Sequence, residues 1–143
     1  MLAEEGANVC LTYRSHAQEA QAVATQIEGM GRKALSVQCD IASFSQAEAV
    51  VKSALEAFGR IDILVNNASA ISLAGTADTS MKRFDLMHAV NVRGTYLTTQ
   101  ACLPHLQQAA NAHVLNIAPP LNMLNRPRKP VEAWTCSWTM LRS

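Results

Sequence analysis

Ile61-Asp62-Ile63-Leu64-Val65-Asn66-Asn67-Ala68 is the stretch on which the fold class turns. From Ile61 to Val65 apolar residues run almost unbroken, as in a central parallel strand covered on both faces, whereas a strand with one wet face alternates. Asn66-Asn67 ends the run. Just before it, Ala47, Val50, Val51, Ala54, Leu55 and Phe58 fall at helical intervals and form one apolar stripe. Ser45 and Glu48 have the spacing of a capping box, and Gly59 supplies a left-handed exit. An amphipathic helix that feeds directly into a doubly covered strand is half of a βαβ unit.

The same alternation continues outward. Ala7 to Tyr13, bounded by Gly6 and Arg14-Ser15, suits a buried strand, and Ala34 to Asp40 suits a second. Between them a helix is expected, with Ser15 and Gln18 as a capping box, Ala20, Val23, Ala24 and Ile27 as its stripe, and Gly29 and Gly31 as its stop. On the other side, a polar loop through Gly75 and Thr76 leads into a long helix from about Ser80 to about Gln108. Phe84, Met87, Asn91 and Gly94 share one of its faces, and Pro104 should kink or end it. His113 to Ile117 is a fourth strand. The pattern predicts an α/β fold built on a doubly wound parallel sheet.

Composition narrows the function classes. At 143 residues, with 49% apolar and 16% charged residues, the chain is one packed domain, and disorder is excluded. A net charge of +1 lacks the basic excess of a nucleic-acid or anionic-membrane binder and points to a small molecule or a protein as partner. That balance averages two unlike pieces, because residues 124–143 hold four Lys/Arg against one acid. Residues 123–143, with Arg126-Pro127-Arg128-Lys129-Pro130, Trp134 and Trp138, read as a divergent basic tail without regular structure. A nucleic-acid role for this tail is the least favoured reading. Neither the four cysteines nor His16, His88, His105 and His113 have metal-ligand spacing, so no metal is expected. The start Met1-Leu2-Ala3-Glu4-Glu5 has no signal-peptide character and no apolar run is long enough to span a membrane, so a soluble, cytoplasmic protein is expected.

Four blocks in order resemble the short-chain dehydrogenase/reductase family over residues 1 to about 122. They are Asn66-Asn67-Ala68 with the following residues to Leu73, Arg83 to Met87, Asn91-Val92-Arg93-Gly94-Thr95-Tyr96-Leu97, and Leu115 to Asn122; Asp40 at the end of the preceding strand adds to them. The resemblance implies that residues 1–122 are a partial NAD(P)-binding Rossmann-like domain, with the dinucleotide lying across the carboxyl ends of the strands. By it, Asp40 and Ile41 border the adenine, and the backbone at Asn67, Ala68 and Ser69 faces the adenosine and ribose, Ser69 standing where the family commonly has Gly. Asn91 takes the place of the family's catalytic asparagine. A small carbonyl or alcohol substrate is implied, and a homo-oligomer is a further expectation. Arg14 follows the first strand where an acid would select NAD, so NADP is favoured over NAD.

The chain departs from the family at both ends of the site. Its only tyrosines, Tyr13 and Tyr96, are followed four residues on by Ala17 and Gln100, so the family's Tyr-x-x-x-Lys acid is absent. Ala118, Pro119 and Pro120 stand where its serine would, and its glycine-rich fingerprint would fall ahead of Leu2. Gly29-Met30-Gly31 precedes a strand and is no substitute. The expected sheet therefore lacks the family's first strand and its C-terminal strands. The missing first strand belongs between residues 7–13 and 61–65, and direct pairing of those two strands is expected to close the gap. Two functions compete: an NAD(P)(H)-dependent oxidoreductase fragment inactive alone, with cofactor binding by that fragment left open, or a non-catalytic remnant that associates through open sheet edges.

Overall fold

The computed structural model describes residues 2–72, 74–118 and 139–142. In chain order these form β1 (Asn8–Tyr13), α1 (Ala17–Gly29), β2 (Ala34–Gln38), α2 (Phe44–Phe58), β3 (Ile63–Asn66), α3 (Met81–His88), α4 (Thr95–Leu106), β4 (His113–Asn116) and β5 (Thr139–Arg142). A short 3-10 turn at Thr76–Asp78 precedes α3, and a π-helical turn at Ala89–Gly94 joins α3 to α4. The sheet order is β2-β1-β5-β3-β4, with β1 parallel to β2 and β3 parallel to β4.

The inner strands β1 and β3 send alternate side chains to opposite faces, and both faces are roofed by helices. Val9 and Leu11 of β1 and Val65 of β3 pack with Ala20, Ala24 and Ile27 of α1. Cys10 and Leu64 point the other way, into a core shared with Val50, Val51, Ala54 and Phe58 of α2 and with Cys102 and Leu106 of α4. Two-sided burial explains the unbroken apolar run, and Leu64 is fully buried. Asp62 is the exception inside it. It is also buried, and its carboxylate accepts a hydrogen bond from Arg60 Nε at 3.0 Å, which offsets the cost of burying a charge.

Several local expectations need correction. Neither capping box forms: α1 opens on His16 and α2 on Ser43, each without a side-chain cap, and Ser45 and Glu48 lie inside α2. The cap that does form is Ser80, whose hydroxyl accepts the Arg83 N–H at 3.4 Å at the start of α3. Gly59 takes the left-handed C-cap of α2 at φ +82°. Val23 flanks the α1 stripe instead of belonging to it and is exposed. The long helix follows one helical path from Met81 to Leu106, but the π-turn breaks its 3.6-residue phase. Gly94 is buried, while Phe84 and Asn91 are exposed, so the face expected from a constant pitch is split. Pro104 lies in the last turn of α4.

The middle of the sheet holds the largest correction. β1 and β3 do not pair directly, because β5 lies between them and is antiparallel to both. Val9, Leu141 and Ile63 stand in one row, and Cys10, Met140 and Leu64 in the next. An unpaired edge leaves a ladder of N–H and C=O groups to satisfy, and an extended segment of the chain itself satisfies both edges at once. Thr139–Arg142 thus form a strand where an irregular tail was expected, and the rest of that tail, 123 to 138, lies outside the described residues.

Candidate functional site

The parallel strands β1, β2 and β3 all end on one side of the sheet, and a cleft of about 280 Å³ opens there. Its walls include Arg14, Asp40, Ile41, Ala68 and Ser69, so five of the residues expected at a site come together. Asn67, half-buried beside Ala68, does not line it. His16, with Glu19 and Val23 of α1, completes the wall that follows β1.

Three sets of contacts hold these walls. At the end of β1, Gln38 Nε2 donates to the Arg14 carbonyl at 3.0 Å, and the Cys39 N–H donates to the Tyr13 carbonyl at 2.8 Å. After β2, Asp40 is locked in a turn: its Oδ1 accepts the Ala42 N–H at 3.0 Å, and its own N–H donates to Gln46 Oε1 at 2.7 Å. Ile41 is buried against the π-turn at Gly94, where an added Cβ would come within 2.8 Å of Ile41 Cδ1. After β3, Asn91 grips the loop: its Nδ2 donates to the Ala70 carbonyl at 2.9 Å and its Oδ1 accepts the Ala70 N–H at 2.8 Å. Both ends of the Asn91 amide are thereby committed to the length of backbone that runs from Ala68 past Ser69.

Electrostatics leave a cation poised at the mouth. Arg14 Nη2 lies 4.0 Å from Asp40 Oδ2, with side chains 65% and 40% exposed. A pair this long and this wet contributes about 0–1 kcal/mol, so Arg14 can exchange Asp40 for an incoming anion at little cost.

Two groups escaped the sequence reading. Gln46 fixes the Asp40 turn from inside α2. Asn66, 4% exposed, donates from Nδ2 to Thr99 Oγ1 at 3.2 Å and to Asn116 Oδ1 at 2.6 Å, while its Oδ1 accepts from Thr98 Oγ1 at 3.3 Å. It ties the end of β3 to α4 and β4. The signal for Asn66 was a carboxamide at the buried end of a strand, which must find partners.

Cys10, Cys39 and Cys102 are free and buried in one core. Burial is the main cause that pushes the Cys10 and Cys102 thiols up to about 12 and Cys39 up to about 11. Like-charge repulsion adds to each shift, from Cys39 on Cys10, from Cys10 on Cys102 and from Asp40 on Cys39. None of the three is a thiolate near neutral pH, so none is a nucleophile for this site. No group of three or more His, Cys, Asp or Glu that could hold a metal ion occurs among the described residues, and none of their helices is long and apolar enough to cross a membrane.

A sequence model described as short chain dehydrogenase matches residues 1–130. Hydroxysteroid dehydrogenase-like protein 2 of Xenopus laevis is 54% identical over 100 residues, which are 70% of this chain and 24% of that protein. Among solved structures, a short chain dehydrogenase from Mycobacterium thermoresistibile aligns with a TM-score of 0.77 at 41% identity, over 83% of this chain and 45% of that one. A short chain dehydrogenase from Burkholderia cenocepacia J2315, in complex with NADP, aligns with a TM-score of 0.71 at 40% identity, over 73% of this chain and 43% of that one. The chain thus spans about a quarter of the Xenopus relative and under half of each of these solved neighbours.

Proposed function

The chain belongs to the short chain dehydrogenase family, and on that premise we propose that it is part of an NAD(P)(H)-dependent oxidoreductase, receiving the adenosine end of the cofactor in the cleft above β1, β2 and β3. The observation that carries the proposal is Arg14 at the end of β1, held by Gln38 and only loosely paired with Asp40. An arginine at this position suits a ribose 2′-phosphate, which favours NADP(H) over NAD(H). The NADP complex of the Burkholderia relative supports the same choice. Asp40, Ile41, Ala68 and Ser69 form the walls around the adenosine, and Asn67 stands behind Ala68. Asn91 is the one member of the family's catalytic set present in the sequence, and it acts here as a positioning residue through Ala70.

The substrate class carried over from the family is a small carbonyl or alcohol. The 143 residues contain no Tyr-x-x-x-Lys, and Ala118 offers no hydroxyl, so this chain alone should bind without turning over. Free, buried thiols suit a reducing, cytoplasmic setting. Titration of the chain with NADPH and NADH, followed by nucleotide fluorescence, tests the assignment. Saturable binding that favours NADPH is expected, and Arg14→Ala should weaken NADPH about tenfold while barely changing NADH. Equal affinities in the unaltered chain would refute the 2′-phosphate assignment, and loss of NADPH absorbance with a panel of aldehydes and ketones would refute the absence of turnover.

A second reading, association between copies, rests on β4. It is an edge strand, and Val114 and Leu115, on opposite faces, are 44% and 50% exposed. Concentration-dependent growth in mass, abolished by Val114→Lys, would favour it.

A further inference from the structure

The two strands that flank β5 are held together above and below it. On one face Val9 and Leu11 of β1 share a core with Val65 of β3 against α1, and on the other Cys10 shares one with Leu64 against α2 and α4. The roofing helices thereby keep β1 and β3 about 10 Å apart, two strand spacings, which is room for one strand. That slot offers a backbone ladder on each side, and Thr139–Arg142 fills both, facing Asn8 to Leu11 of β1 and Ile63 to Val65 of β3. Backbone pairing of this kind recognises an extended segment, whichever molecule supplies it.

The covalent connection does not decide the supplier either. β4 ends at Asn116, level with Asn66, and β5 starts at Thr139, level with Val65, so both ends of the connection lie at the carboxyl edge with only β3 between them. That gap is about 10 Å. The chain between Ile117 and Thr139 can span roughly 70 Å when extended, several times the gap, so the slot of a second molecule lies within its reach. A β5 delivered there makes the same backbone pairs that it makes in its own chain.

We infer that the slot between β1 and β3 is a strand-acceptor site whose fitting partner is Thr139–Arg142 of a second copy, and that two chains complete each other's sheets by reciprocal exchange of β5. Because both forms contain the same pairs, concentration chooses between them. Tethered to its own slot, β5 behaves as if present at roughly millimolar concentration, and a neighbouring copy competes only when the protein is comparably concentrated. Once made, the exchange is slow to reverse, since β5 leaves only by breaking both ladders together. The inference depends on neither the cofactor reading nor pairing along β4, and its product is a closed dimer.

Refolding an equal mixture of isotope-labelled and unlabelled full chain, followed by size-exclusion chromatography with mass measurement, tests the exchange. Dimer should hold roughly half of the chains refolded at about 1 mM and a few per cent of those refolded at about 10 µM. The dimer formed at high concentration should persist when diluted, and isotope-filtered NOE spectra should connect the backbone of Cys10 in one copy to that of Met140 in the other. A single-chain mass at both concentrations would overturn the inference, and so would a dimer in which Cys10 and Met140 meet only within one copy. Val114→Lys, at the exposed edge strand, should leave the dimer intact; its loss would assign the association to β4 and overturn the exchange.

Discussion

Asn91 holds Ala70 by both of its backbone polar groups, at 2.9 Å through the carbonyl and 2.8 Å through the amide. A residue of the π-turn thus acts as a clamp on the loop after β3. That clamp keeps Ala68 and Ser69 at the cleft wall.

Asn91→Ala removes both bonds. The site is exposed, so water replaces them, and the cost to folding should be only about 0.5–1.5 kcal/mol. The loop should loosen more than the fold does. Amide exchange is expected to accelerate at Ala68 to Ala70 while the β1 and β3 amides keep their protection, with a matching loss of NADPH affinity. Unchanged exchange in the loop would show that Asn91 does not order it.

Gly94→Ala brings a Cβ to 2.8 Å from Ile41 Cδ1 and 3.0 Å from Ile41 Cγ1. Alanine improves helix propensity, but overpacking in a core costs about 1–3 kcal/mol, so net destabilisation is expected. Ile41→Val removes the Cδ1 methyl. The double variant Ile41→Val with Gly94→Ala should therefore recover much of the loss, a coupling that denaturant titration of the four-member cycle measures directly.

Met140→Pro removes one backbone donor from the strand that lies between β1 and β3. The substitution should lower the denaturation midpoint and expose the β1 and β3 amides to exchange together. A change confined to the last few residues would mean that β5 contributes little to closing the sheet.

The three buried thiols predict alkaline sensitivity. In the unfolded chain they lose protons near their ordinary value of 9.0, whereas in the fold they hold them to about 11 or 12. The folded state binds more protons in that window, so stability is full below about pH 9 and falls as the pH rises from there toward 11 to 12. Chemical denaturation at pH 8 and pH 10 checks the sign. Replacing Cys102 with Ala should flatten the slope while costing some packing.

The parts of the fold that were legible are those written in local pattern. The α2 stripe, the Gly59 stop and the β3 run each depend on residues within a few positions of one another; the first two appear where expected, and β3 begins two residues into its apolar run and takes in Asn66. The π-turn at Ala89–Gly94 was not legible, because periodicity assumes a constant pitch and one extra residue rotates every later side chain. β5 was hidden for another reason. Thr139 to Arg142 carry too short a pattern, and their partners lie in β1 and β3, far away in the chain. At the site, Asp40, Ile41, Ala68 and Ser69 could be named through the family resemblance, and Arg14 because it follows the first strand. Gln46 and the Asn66, Thr98, Thr99 and Asn116 group could not, since their roles exist only once helix and sheet have met.

Because β5 is the last of the five strands to leave the ribosome, synthesis passes through a stage at which β1 and β3 have emerged with nothing between them. Two bare backbone ladders are then presented to whatever else is nearby, and pairing across such a sequence distance is slow. The two ladders stay open until Thr139–Arg142 arrive between them, and a slowed ribosome over that stretch should lengthen the time in which they can pair wrongly.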